Sequence, residues 1–170
     1  ARLNYEASHD ALTGLYNRAA YDLFRKSTPE EHIALAVVDV DYFKTVNDRY
    51  GHNVGDRVLQ RVANVLRESF RSADIVCRIG GDEFVVILLR VSSASVPTIL
   101  RKFEQINEQL ADTSSGLPAV SLSIGVAFSD RENPGEDIFK DADKACYVVK
   151  EAGRGGVCAY PNIRLGKNEQ

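Results

Sequence analysis

Three acidic residues carry the chemistry this sequence is best equipped to do. Asp39 lies at the end of a nearly continuous apolar run, Ile33–Val40, and Asp82 and Glu83 follow Gly80-Gly81 between two β-rich runs. The first run reads as a buried central strand, and the glycine pair reads as the tip of a hairpin. If strand and hairpin are neighbours in one sheet, the carboxylates meet at its edge. Hard oxygen ligands on a rigid sheet suit Mg2+, which keeps waters and takes one or two carboxylates plus phosphate oxygens. Two such ions would activate an attacking hydroxyl and stabilise a leaving pyrophosphate. Gly80 and Gly81 lack side chains, so a bulky nucleotide can approach the backbone there. The same letters also fit a solvated hairpin turn, which is the commoner meaning of so short a motif. Asp39 alone equally fits a strand-end residue that caps a neighbouring loop.

The elements that must position these acids follow from the hydrophobic periods. The runs 75–79 and 84–89 are the two hairpin strands. From Asp56 onward, Val58, Val62, Val65, Leu66 and Phe70 recur at helical spacing. Ile99, Leu100, Phe103, Ile106 and Leu110 mark a second amphipathic helix, closed by Gly116 and Pro118. Val120, Leu122, Ile124, Val126 and Phe128 alternate with Ser121, Ser123, Gly125, Ala127 and Ser129, which predicts a strand with one buried face. Asn133-Pro134 predicts the capped start of a last helix. Its apolar stripe is Ile138, Ala142, Ala145 and Val149, and Gly153 ends it. The expected fold class is α+β, a mixed central β-sheet covered by helices in one domain.

Bulk properties narrow the function classes. The chain has 170 residues, 44% hydrophobic and 26% charged, which fits one domain with a single sizeable core. Its net charge is −3, so it has no general electrostatic grip on nucleic acid or anionic membrane. A polyanionic ligand must then be neutralised by a metal or by local cations. No apolar run approaches the length of a membrane span, and the start is not a signal peptide. Cys77, Cys146 and Cys158 lack metal-ligand spacing and read as reduced thiols, predicting a cytoplasmic domain. Membrane anchoring of a full-length protein through other regions stays open. The absence of methionine and the start at Ala1 suggest a fragment. Residues 1–7 read as the end of an upstream linker helix, 8–160 as the domain, and 161–170 as a polar, frayed tail.

The run Gly80-Gly81-Asp82-Glu83-Phe84 spells the name motif of the GGDEF family. The segment from Asp10 through Ala11, Leu12, Thr13, Gly14, Leu15, Tyr16 and Asn17 to Arg18 resembles the family's opening signature. Asp39-Val40-Asp41-Tyr42-Phe43-Lys44, then Asn47-Asp48, Gly51-His52 and Gly55-Asp56, resemble its second block. Ser123-Ile124-Gly125-Val126 and Ala142-Asp143-Lys144, with Tyr147, Lys150 and Arg154, resemble its closing blocks. The match covers about residues 8–160 in the family's order and spacing.

The resemblance implies a bacterial diguanylate cyclase domain that condenses two GTP into cyclic di-GMP and releases two pyrophosphates. It implies a fold similar to the palm of nucleotide cyclases and polymerases, with a ferredoxin-like core. It also implies two Mg2+ per active site, with Mn2+ as an alternative, held by Asp39, Asp82, Glu83 and the Val40 carbonyl. Asp82 or Glu83 would assist deprotonation of the 3′ hydroxyl, and the sequence does not choose between them. Lys44 would offset charge developing on the phosphates. Lys150 and Arg154, four apart on one helical face, would hold the triphosphate, although a helix end favours cations in any case. Asn47 and Asp56 would read guanine. A carboxylate accepts from both N1–H and the N2 amine, and against ATP a buried Asp56 would be left unsatisfied. Asp56 also fits a simple helix cap. His52 would help hold the base or the loop, and Leu12, Leu15 and Phe43 would supply apolar walls.

Arg71-Ser72-Ala73-Asp74 ends five residues before Gly80, the offset at which the family often carries an inhibitory product site. There the guanidinium would grip guanine or phosphate, and the carboxylate would accept from the guanine edge. The implied partners are GTP, cyclic di-GMP, a second copy of the chain and an upstream sensor or receiver domain, with no nucleic acid. The product ring is two-fold symmetric, so a symmetric dimer suits the reaction. Cys146, Val149 and Gly155 depart from the family pattern near the triphosphate end without removing a proposed ligand. The competing reading is a catalytically inactive GTP- or cyclic di-GMP-binding regulatory domain. The presence of Asp39, Lys44, Asp82 and Glu83 argues against it, and Asp56 disfavours another nucleotide.

Overall fold

The computed structural model describes residues 2–166. In chain order it contains α1 (Arg2–Ser8), α2 (Arg18–Ser27), β1 (Ile33–Val40), α3 (Phe43–Tyr50), α4 (His52–Ser69), β2 (Ile75–Arg78), β3 (Glu83–Leu89), α5 (Val96–Leu110), β4 (Leu122–Phe128), α6 (Ile138–Glu151) and β5 (Gly156–Ala159). The strands form one sheet in the order β2-β3-β1-β4-β5, with only the β4–β5 pair parallel. This is the mixed sheet and α+β class expected.

β1 is central and covered on both faces, which is why its sequence is apolar throughout. Ala34, Ala36, Val38 and Val40 face a core shared with Val58, Val62 and Leu66 of α4 and Leu100, Phe103 and Ile106 of α5. Ile33, Leu35 and Val37 face the other layer, with Tyr21 of α2 and Ile138, Ala142 and Cys146 of α6.

Several expectations need correction. β4 is buried at every position, not on one face. Its small residues Ser123, Gly125 and Ala127 alternate because α6 lies tightly over them. A Cβ on Gly125 would stand 2.0 Å from the Ala142 carbonyl oxygen. α6 starts at Ile138 rather than at Asn133-Pro134. Asn133 takes the left-handed φ of 52°, and Asp137 is the cap, its carboxylate accepting from the Lys140 N–H at 2.9 Å. The buried Arg131–Asp141 pair, 2.8 Å apart, pins the intervening loop. α4 starts at His52, so Asp56 stands in its second turn and does not cap it. α2, α3 and β5 were not anticipated.

The 161–170 tail is not wholly frayed. Ala159 and Ile163 exchange backbone hydrogen bonds of 2.8 and 2.7 Å, and Leu165 packs on the core. Residues 167–170 of that tail, and Ala1 of the expected linker helix, lie outside the described residues. Among the described residues no helix is long and apolar enough to cross a membrane.

Candidate active site

Asp39 and Glu83 meet at one end of the sheet, with the backbone of Asp82 beside them. Asp39 stands opposite Glu83 of β3 on one side and Ser123 of β4 on the other. Directly paired residues share a face, so the three form a row on the side covered by α6. Asp82 lies one residue before β3, and its carbonyl accepts from the Val40 N–H at 3.1 Å. The Ile79 and Gly80 N–H groups both donate to the Glu83 carbonyl, at 3.0 and 3.3 Å, which closes the hairpin tip beside Asp82.

Lys150, in the last turn of α6, donates to Asp39 Oδ2. Asp39 Oδ1 is buried and has no hydrogen-bond partner. A buried carboxylate oxygen without a partner is costly, and a cation would satisfy it. The residues therefore fit Mg2+. Among the described residues no group of three or more Asp, Glu, His or Cys side chains is close enough to cage a metal. Asp39, Asp82 and Glu83 are therefore not gathered as a ready three-carboxylate cage in the protein alone.

Burial pushes Glu83 up to about 7, helped by the negative charges of Asp39 and Asp143. The same two causes, burial and then Asp39, raise Asp143 on α6. Burial alone would lower the Lys150 ammonium, but the Asp39 carboxylate carries it above the ordinary lysine value. Asp39, Glu83, Asp143 and Lys150 are thus one electrostatic unit. Asp143 was quoted in the sequence motif but given no role. Its signal was its position seven residues, two helical turns, before Lys150.

Arg154 is not on a helical face with Lys150. α6 ends at Glu151, and Arg154 sits in the following turn at φ 67°. Gly153 and Gly155 flank it, and they break the period that the spacing assumed. Its guanidinium still comes to the strand ends, 3.7 Å from Asp41 and over the Tyr42 ring at 5.0 Å. Lys44 is not drawn to the acids. Its side chain is 91% exposed and pairs with Asp48 at 3.3 Å.

The guanine side is partly assembled. Phe43 and Asn47 on α3 lean against α4 at Gly55, where an added Cβ would lie 1.9 Å from Asn47 Oδ1 and 3.2 Å from Phe43 Cζ. Gly55 thus makes room for a proposed base reader. Asp56 and His52 are exposed, so the expectation of a buried Asp56 does not hold for the protein alone. Leu12 and Phe43 are half-buried, but Leu15 is a core residue with little surface for a purine.

One further residue organises the site and was missed. Arg78 donates to the Gly81 carbonyl from Nε and Nη2, at 3.0 and 2.8 Å, and from Nη1 to both oxygens of Asp10 at 3.1 Å. It ties the glycine tip to the segment that carries Leu12 and Leu15. Its place two residues before Gly80 was the available signal.

Arg71 and Asp74 form a bidentate pair of 3.1 and 3.0 Å. Asp74 is buried and also accepts from the Arg71 N–H at 3.1 Å and the Leu89 N–H at 3.0 Å. The Arg71 guanidinium also donates to the Leu89 carbonyl. Asp74 is therefore not open to a guanine edge. It anchors Arg71, which remains half exposed.

Known proteins resemble this chain in sequence and fold. The sequence profile described as "Diguanylate cyclase, GGDEF domain" matches residues 7–156. Diguanylate cyclase DgcM of Escherichia coli K12 is 39% identical over 165 residues, covering 93% of this chain and 40% of that protein. The structure of the coiled coil and GGDEF domain of DgcB from Caulobacter crescentus, in complex with c-di-GMP, superposes with a TM-score of 0.78. The identity is 30%, over 93% of this chain and 88% of that one. Diguanylate cyclase SiaD of Pseudomonas aeruginosa, in complex with its activator SiaC, gives a TM-score of 0.75 at 31% identity, over 93% and 64%. The chain spans less than half the length of the curated relatives it matches.

Proposed function

The chain belongs to the diguanylate cyclase GGDEF-domain family, and from that premise we propose that it condenses two GTP into cyclic di-GMP as a Mg2+-dependent symmetric dimer. The observation that carries the proposal is the buried, unpartnered Oδ1 of Asp39, in register with Glu83 and beside Lys150. Asp39, Asp82, Glu83 and the Val40 carbonyl would hold Mg2+ (or Mn2+). The ions would activate the 3′ hydroxyl and stabilise the leaving pyrophosphate.

The protein's own groups do the rest. Lys150 neutralises Asp39 in the protein alone and stands ready to take a phosphate oxygen. Arg154 binds the triphosphate from the neighbouring turn, and the exposed Lys44 would leave Asp48 to meet the same charge. Asp82 or Glu83 assists deprotonation of the 3′ hydroxyl. Asn47 and Asp56 select guanine between the apolar walls of Leu12 and Phe43, with His52 at the rim. Asp56 becomes buried only when the base covers it, and the penalty against ATP arises then.

Product inhibition is proposed to run through Arg71, with Asp74 as its anchor. Asp74 and the Leu89 carbonyl take Nε and Nη2, so Nη1 makes the charge-assisted contact, and Arg71→Ala should raise the half-inhibitory cyclic di-GMP concentration about tenfold, read from initial rates with added product. Unchanged inhibition would remove Arg71 from that site. Three buried free cysteines, with the Cys77 and Cys146 thiols pushed by burial up to about 12, fit a reducing cytoplasm. Input from an upstream sensor or receiver domain, or from a separate activator as in the SiaD complex, completes the proposed role.

The metal and base requirements are tested together by incubating the protein with GTP or ATP in Mg2+, Mn2+ or EDTA and separating the products. The expected result is cyclic di-GMP from GTP with either metal, none in EDTA, and no cyclic dinucleotide from ATP. Turnover in EDTA, or equal use of ATP, contradicts the reading.

A further inference from the structure

Asp41 follows Asp39 by two residues, just beyond the end of β1, and is 4% exposed. Aspartate is rarely buried so fully unless it is paired. Its Oδ1 accepts from the Ser123 hydroxyl at 2.6 Å, and its Oδ2 accepts from the Ser121 hydroxyl at 2.6 Å and the Gly155 N–H at 3.0 Å. The Arg154 guanidinium completes the set, 3.7 Å from Oδ1. The Asp41 N–H is fixed as well, donating to the Ser121 carbonyl at 2.9 Å. Both Asp41 oxygens are thus occupied by the chain, whereas Asp39 keeps one with no partner. Two acids of the same type, two residues apart, are set up for different tasks.

The group that Asp41 holds is the turn after α6. Arg154 takes a left-handed φ of 67°, which a side-chain-bearing residue keeps only where its surroundings enforce it. The enforcement comes from both sides. The Arg154 N–H donates to the Val149 carbonyl at 2.9 Å, and the next residue, Gly155, donates to Asp41 and to the Ser123 hydroxyl at 3.3 Å. The side chain then lies between the Asp41 carboxylate and the ring of Tyr42. Backbone and guanidinium of Arg154 are therefore oriented by the same buried carboxylate.

We propose that Asp41 is a positioning residue, which holds Arg154 in the place from which it grips the GTP triphosphate and does not touch the nucleotide itself. The inference rests on the reading of Arg154 as a triphosphate contact. The Ser121 and Ser123 hydroxyls belong to the same device, since they keep the carboxylate oriented. The arrangement also explains how an acid can stand so near a triphosphate. Its charge is balanced by Arg154 and by three hydrogen-bond donors.

The test is calorimetric binding of 3′-deoxy-GTP with Mg2+, a ligand without the attacking hydroxyl, to the wild type, Asp41→Asn, Arg154→Ala and the double variant. Binding stoichiometry separates a loss of folded protein from a loss of affinity. The expected result is about tenfold weaker binding for Arg154→Ala. Asp41→Asn should lose about as much, and the double variant no more than the weaker single one. Wild-type affinity in Arg154→Ala would overturn the Arg154 reading and this proposal with it. Weak binding by Arg154→Ala beside wild-type binding by Asp41→Asn would overturn this proposal alone, and so would losses that add in the double variant. If Asp41→Asn does not fold, Ser121→Ala decides. It should weaken binding when Arg154 is present and have no effect on affinity in the Arg154→Ala background. Any other pattern overturns the proposal.

Discussion

At the residue scale the site is a contrast between filled and unfilled carboxylates. Asp74 and Asp141 are buried with their oxygens bonded to the chain, as is Asp41, and they shape the fold. Asp39 and Glu83 are not so satisfied, and their mutual repulsion is stored in the protein alone. Glu83 lies near 7 against an ordinary 4.5, because of burial first and then Asp39. Between those values the folded chain binds a proton that the unfolded chain has lost. Stability therefore falls as pH rises through that window, and the deficit is complete above about 7. Glu83→Gln removes the deficit. In EDTA it should melt above the wild type at about pH 8, and the gap should close as pH falls towards 4.5. Allowing for solvent screening at a half-exposed site, the gap is on the order of 1 kcal/mol. A gap that is constant with pH would show that Glu83 is not the group responsible. The acids themselves were legible in the sequence, because a polar residue ending an apolar run stands out. The bonding of Asp41 was not, since its partners Ser121 and Ser123 lie 80 and 82 residues away.

At the element scale, close packing of α6 on β4 brings Lys150 to Asp39. That closeness depends on Gly125, whose added Cβ would meet the Ala142 carbonyl oxygen at 2.0 Å and the Cys146 N at 2.1 Å. Backbone atoms cannot turn aside as a side chain can. Gly125→Ala should therefore lift α6 and cost about 3 kcal/mol or more, read from urea unfolding. A loss under about 1 kcal/mol would mean that the helix is not seated so closely. Hydrophobic period revealed most long elements, including β1, the hairpin and α5. It misjudged β4, because small residues under a helix look like the exposed half of an alternating strand. It misplaced the start of α6, because Asn133-Pro134 imitates a cap while Asp137 performs the capping. β5, four residues long, is too short to show a period.

At the scale of the whole molecule, one end of a single sheet gathers the acids of β1 and β3, the cations at and after the end of α6, and the proposed base readers of α3 and α4. On the proposed function each chain would provide one such half-site, while the product needs two nucleotides joined with two-fold symmetry. On the proposed reading the second GTP comes from a second chain, so the rate per molecule should rise with protein concentration. The most direct test of the account is the formation of cyclic di-GMP from GTP and Mg2+, followed by chromatography over a dilution series, with Asp82→Ala as the control. The account predicts product from the wild type, a specific rate that falls on dilution, and no product from Asp82→Ala. No product from the wild type at the highest concentration, even with the chains tethered as a dimer, would contradict it and leave a nucleotide-binding regulator.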